Sequence, residues 1–322
     1  MSANIDRSSI TETAQRIAPY VRRTPVMTVQ LPTRTVELKL ECLQLSGTFK
    51  ARGAFNRLLS NRDIAARTGV AAASGGNHGI AVATAARALE IPAHIFVPGV
   101  SPAAKRARLH ALGARVSVVG EHYAEAAAAC ADFIESSGAL TCHAYDQVET
   151  LNGQGTLARE WLEQTAGIDS MLVAVGGGGL IGGIAAWVQR DLKLVAVESE
   201  GCPTLHSALA AGEPTNIQVS GLAADSLGAS RVGSLMFPLA SSAVQQSVLV
   251  SDEAIIAAQR YAWANLNLLL EPGGATALGA LLSGAYQPDP DERVGILVCG
   301  SNTEGPAHFE GPAASEQPVG NP

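Results

Sequence analysis

The sequence predicts an α/β fold with open, mainly parallel sheets flanked by helices. Short runs of β-branched and small apolar residues alternate with helix-periodic segments from about residue 70, the pattern of βαβ units. The alternation falls into two series, about 70–146 and 155–300, and 322 residues suffice for two domains with a large core. Hydrophobic residues make up 47% of the chain and charged residues 16%, so much of it must be buried.

The first 60 residues read as a lone helix and one hairpin-like stretch, which cannot bury a core alone and must pack on a later part. VAAAS (70–74) reads as a strand, GGNHG as a turn and IAVATAARALEI as a helix. AHIFVP (93–98) is the next strand, before a helix with Ser101 as N-cap, Pro102 at its first position and Gly113 past its end. ARVSVVG, a helix over 124–134 and ALTCHAY complete the first series.

The second series runs from a helix at 155–167 through strand SMLVAV (170–175), the loop GGGG, helix LIGGIAAWVQR and strand KLVAVE (193–198). Helices at 251–268 and 273–283 and strand RVGILVCG (293–300) follow. The expected division is a large domain of 1–60 with 147–305, a small domain of 61–146 and a flexible, Pro-, Gly- and Ala-rich tail over 306–322.

A formal net charge of −7 without a basic block argues against nucleic acid as a partner. The polar N-terminus lacks a signal-peptide layout, and no apolar run nears the ~18 residues of a membrane span. Five widely spaced cysteines without CxxC fit reduced thiols, and hence a cytoplasmic location.

Four segments carry chemistry. In LSGTFKARGAF (45–55), Ala51, Ala54, Phe55, Leu58 and Leu59 define an apolar helix face, so Lys50 falls at a helix N-terminus. That end disfavours a cation and lowers the lysine pKa, which suits imine chemistry; the same lysine alone also suits an exposed helix start. Ser74, Gly75, Gly76, Asn77 and His78 form a strand-to-helix turn able to cradle an anion, or one in which Ser74 merely caps. The four glycines Gly176, Gly177, Gly178 and Gly179, before Leu180, let amides approach a phosphate. Gly177, Gly179 and Gly182 also satisfy GxGxxG with Glu198 one strand later, so a dinucleotide such as NAD stays open for this loop. Cys299 and Ser301 follow the last strand, where α/β sheets bind ligands, although Cys299 alone reads as a core residue.

Together the four segments resemble the fold type II (β-family) pyridoxal-phosphate enzymes, most closely the serine/threonine dehydratase and serine racemase branch, over roughly residues 20–303. The match includes Thr24-Pro25 and the Glu271-Pro272-Gly273-Gly274-Ala275 segment. The resemblance implies two sheets with the cofactor between the domains. It makes Lys50 the catalytic Schiff-base lysine, with Phe49 against the cofactor ring. Asn77 would hold the cofactor's 3′-oxygen, residues 176–180 its phosphate, and Cys299 would face its pyridine nitrogen. Ser74 to His78 would bind the substrate carboxylate.

The activity so implied is elimination on L-threonine or L-serine, giving a 2-oxo acid and ammonia, in a homodimer. Serine racemase, 3-hydroxyaspartate dehydratase and, outside the family, a NAD-binding oxidoreductase are the alternatives. Racemases of the branch carry serine where this chain has Gly75, which transfers no proton, so little racemisation is expected. Relatives bind magnesium or calcium through a Glu, a backbone carbonyl four residues on and an Asp two further; Glu198 and Cys202 match the first two, but the third position is Thr204, a poor replacement for a carboxylate. The regulatory region of the biosynthetic threonine dehydratases has no counterpart after Cys299, so a stand-alone, catabolic-type enzyme is expected.

Overall fold

The computed structural model describes residues 4–303, and the expected tail at 306–322 lies outside them. The chain opens with helix α1 (Arg7–Ile17), whose N-cap Asp6 accepts from the Ser9 amide in a capping box. Hairpin strands β1 (Val26–Gln30) and β2 (Thr35–Leu40) follow, then α2 (Lys50–Ser60) and α3 (Arg62–Thr68). A parallel series comes next: β3 (Val70–Ala73), α4 (Asn77–Ala88), β4 (Ala93–Val97), α5 (Ala103–Ala111), β5 (Arg115–Val118), α6 (Tyr123–Ser137) and β6 (Leu140–Thr141). The second series is α7 (Val148–Gln164), β7 (Ser170–Ala174), α8 (Gly179–Val188), β8 (Lys193–Ser199), α9 (Thr204–Ala211), α10 (Ala224–Leu227) and α11 (Phe237–Ala243). It closes with β9 (Val244–Val250), α12 (Asp252–Leu266), α13 (Pro272–Leu282) and β10 (Val294–Val298).

The strands form two sheets, as expected. One has order β1-β2-β10-β7-β8-β9, parallel except for the β1–β2 hairpin; the other, order β5-β4-β3-β6, is wholly parallel. Central strands β7 and β10 are buried along their whole length, as parallel strands covered on both faces must be. No helix among the described residues is long and apolar enough to cross a membrane.

Each sheet has its own core, and α2 joins them. Its Ala51, Ala54, Phe55 and Leu58 belong to the core of the four-stranded sheet. Its Gly53 lies against α7, where an added Cβ would sit 3.0 Å from Thr150 and 2.6 Å from Gln154.

Several elements differ from the sequence expectation. Helix α7 begins at Val148 rather than 155, β6 has two residues, and β9 was not anticipated. Helix α5 starts at Ala103 with Pro102, not Ser101, as its N-cap, and no side chain caps it.

Candidate active site

Two loops meet where the six-stranded sheet ends, and backbone pairing fixes them together. The Phe49 amide donates to the Cys299 carbonyl at 3.2 Å and the Ser301 amide to the Gly47 carbonyl at 2.9 Å, beside a Thr48–Gly300 bridge. The lysine at the start of α2 is thereby held next to the end of β10. Turn 271–275 closes on the same point: an added Cβ at Gly274 would overlap the Gly300 carbonyl, and one at Gly300 the Glu271 carboxylate. Glycine is required at both by close approach.

A cavity of about 490 Å³ lies between these loops and the tetraglycine bend. Lys50, Phe49, Asn77 and Cys299 line it on one side, and Gly176, Gly177, Gly178, Gly179 and Leu180 on the other. Lys50 and the bend therefore line the same cavity. Nζ lies 4.9 Å from the Phe49 ring centre, and no carboxylate among the described residues forms an ion pair with it. Burial holds the amine below the ordinary lysine value, opposed by nearby Cys299 and Glu271. The expected cause, the helix N-terminus, is thus joined by a larger one, desolvation.

The bend is shaped for an anion. Gly178 has φ +87° and is the N-cap of α8, so the first amides of that ten-residue helix have no helical acceptor. Added Cβ atoms at Gly177 and Gly179 would strike Tyr145, and one at Gly178 the end of Met236. Gly182 and Gly183 serve helix packing instead, against Met236, Leu151 and Gly155.

Cys299 is buried, its Sγ donating to the Gly273 carbonyl at 3.3 Å, and burial raises its pKa strongly, so it is a neutral thiol. Asn77 opens α4, and its Nδ2 donates to both oxygens of Glu271 at 2.8 and 2.9 Å. Glu271 is the main site residue not singled out in the sequence; burial pushes it up to about 7. Tyr145, Ser226 and Leu227 also line the cavity.

Other expected residues lie off the cavity. Ser74, Gly75 and Gly76 form the partly exposed loop leading to Asn77, and the Ser74 hydroxyl accepts from the Gly76 amide at 3.3 Å. The His78 ring lies against the Cys142 carbonyl, 2.7 Å from Nε2, and burial lowers its pKa to about 3, so it is neutral. Ser301 donates to the Cys42 carbonyl at 3.0 Å rather than lining the cavity. Arg52, near the start of α2, is engaged by Glu41 and Glu160 rather than facing the cavity.

The divalent-cation positions do not fit a cation. Both Glu198 oxygens accept backbone amides, from Leu205 and His206 at 2.7 Å, which caps α9. The Thr204 hydroxyl donates to the Ala229 carbonyl at 2.8 Å, and the Cys202 carbonyl, the expected ligand atom, accepts from the Thr204 amide at 3.0 Å. Among the described residues no cluster of three His, Cys, Asp or Glu side chains could hold a metal. The capped Glu198 is equally unsuited to the ribose contact of a dinucleotide site.

The remaining donor set suits pyridoxal phosphate: a low-pKa amine, an amide cradle that side chains would fill, an amide side chain and a neutral thiol share one cavity. Phenylserine dehydratase of Ralstonia pickettii is 36% identical, covering 93% of this chain and 94% of its own. L-threonine ammonia-lyase of Thermotoga maritima is 31% identical, covering 84% of this chain and 67% of its own. The solved structure of maize serine racemase superposes with a TM-score of 0.88 at 33% identity, covering 93% of this chain and 94% of that one. The family model for pyridoxal-phosphate dependent enzymes matches residues 17–300, and the chain belongs to that family, in its fold type II form.

Proposed function

We propose that the protein eliminates water from a β-hydroxy amino acid, L-threonine or L-serine, releasing the 2-oxo acid and ammonia. The carrying observation is that Lys50 shares one cavity with the tetraglycine bend and Cys299. When bound, pyridoxal phosphate supplies the electron sink for the charge left at the substrate Cα.

The residues of the chain do the rest. The amides of 176–180 would hold the phosphate, and Asn77 would hold the ring oxygen. Loop 74–76 receives the substrate carboxylate at the positive end of α4. Lys50, its pKa lowered by burial, takes the Cα proton, and Phe49 packs beside it. The neutral Cys299 thiol would face the pyridine nitrogen of bound cofactor without the negative charge that a carboxylate would place there, an environment that would favour loss of the β-hydroxyl over long-lived charge at Cα. The water lost in elimination is regained when the enamine product hydrolyses to 2-oxo acid and ammonia.

Gly75 supports elimination over racemisation, since it has no group to return a proton to the opposite face. Serine racemase and 3-hydroxyaspartate dehydratase are the competing activities. A homodimer in the cytoplasm completes the proposal. The test is release of 2-oxobutyrate and pyruvate from L-threonine and L-serine by the yellow holoenzyme, with borohydride fixing the cofactor on Lys50. D-serine as the main product, or label elsewhere, refutes it.

A further inference from the structure

Asn77 belongs to a one-way chain of hydrogen bonds. Its Oδ1 accepts from Asn302 Nδ2 at 2.8 Å, and the same nitrogen donates to the Ser46 carbonyl at 2.9 Å. Asn302 Oδ1 accepts from Arg108 Nη1 at 2.6 Å, and Arg108 Nη2 reaches the Ser46 carbonyl at 3.4 Å. The series Arg108, Asn302, Asn77, Glu271 starts on α5, beside the four-stranded sheet. It crosses to the segment after β10, returns to α4 and ends at the N-cap of α13.

The donors and acceptors set its sense. A guanidinium only donates, so Asn302 must turn its oxygen to Arg108 and its nitrogen to Asn77. Asn77 then accepts through Oδ1 and keeps Nδ2 for Glu271. An asparagine amide has two nearly equivalent orientations about its last torsion; at Asn302 the Ser46 carbonyl draws Nδ2 to one side and Arg108 supplies the matching donor to Oδ1 on the other. Arg108 forms no ion pair with any described carboxylate; its interactions are this amide and one carbonyl.

We propose that Arg108 is a positioning residue: acting through Asn302, it fixes which end of the Asn77 amide faces the cofactor cavity. The proposal rests on the reading of Asn77 as the contact to the ring oxygen of pyridoxal phosphate. It assigns a role in binding to a residue of α5 that does not line the cofactor cavity itself.

Apoprotein is titrated with pyridoxal phosphate and the absorbance of the lysine-bound cofactor followed for wild type, Arg108→Met, Arg108→Lys, Asn302→Asp, Asn77→Ala and the Arg108→Met/Asn77→Ala double variant. Asn77→Ala is expected to weaken binding by about tenfold, the scale of one lost buried hydrogen bond. Arg108→Met should weaken it by a similar factor, and the double variant no further than Asn77→Ala alone. Arg108→Lys, which keeps a donor, should recover most of the loss. Asn302→Asp keeps an acceptor for Arg108 but cannot donate to Asn77, so it should behave like Asn77→Ala, and it serves if Arg108→Met does not fold. Additive losses in the double variant, or wild-type affinity in Arg108→Met or Asn302→Asp while Asn77→Ala is weakened, overturn the positioning role alone. Wild-type affinity in Asn77→Ala overturns the reading of Asn77, and the positioning role with it.

Discussion

The Asn77 amide nitrogen donates to both oxygens of Glu271, 194 residues further along the chain, at 2.8 and 2.9 Å. That contact ties the start of α4 to the N-cap of α13. Burial raises the Glu271 pKa from 4.5 to about 7, with Asp225 acting in the same sense and Asn77, Lys105 and Lys50 opposing. The native state therefore prefers the neutral carboxyl. Its contribution to stability is fully present below pH 4.5 and is lost as pH rises through 7, a change of about 3 kcal/mol. In urea unfolding of the apoprotein at pH 5 and pH 8, Glu271→Gln should remove much of that decline. An identical decline in the variant assigns it elsewhere.

Arg52 and Glu41 are both fully buried, joined at 2.8 and 2.7 Å, with Glu160 3.0 Å from the same guanidinium. Arg52→Met leaves Glu41 without its counter-charge, and a loss of about 3–5 kcal/mol is expected in chemical denaturation. The buried Lys39 contacts Glu160 rather than Glu41, so it does not replace the missing partner.

Gly178→Ala forces a side chain into a backbone with φ +87° and against Met236. A cost of about 1–3 kcal/mol in apoprotein stability is expected, together with weaker cofactor binding, read by thermal melts and by titration. Gly113→Ala is the matched control, with φ +82° and open space around it. It should lose stability by strain alone and bind cofactor normally.

Removing divalent cations should change nothing. With Glu198 capping α9, dialysis against a chelator is expected to leave both turnover and Tm unaltered. Activity restored only by added magnesium or calcium would show a cation site that the capped carboxylate does not provide.

Residue 75 offers a test of reaction choice. A side chain there would run into Ser101, so Gly75→Ser should be tolerated poorly alone and better with Ser101→Ala. Only the double variant is expected to form D-serine, measured by chiral chromatography.

The βαβ alternation was readable because parallel strands buried on both faces are short apolar runs, as in β3, β7 and β10. Strand β9, VQQSVLV, escaped because it is a half-exposed edge strand with three polar residues. The early start of α7 lies upstream of the expected start at Gly155 and contains Gly153, a residue that weakens a helix pattern. The absent side chains of Gly153 and Gly155 admit the Gly53 Cα and Arg52 carbonyl on one side and Ile10 and the Gly183 carbonyl on the other. Local motifs named the cavity residues, since Lys50, Asn77 and the glycines each sit at a helix start with its own signature. Glu271 and Arg108 lacked such a signature, because their significance arises from partners nearly 200 residues away.

Helix α2 carries Lys50 at its first turn and is packed into the core of one sheet while lying against α7 of the other. The reactive nitrogen is consequently a product of the assembled whole. Neither half expressed as a fragment would hold it in place, so mixing the two separated halves should regenerate the yellow colour only when they reassociate.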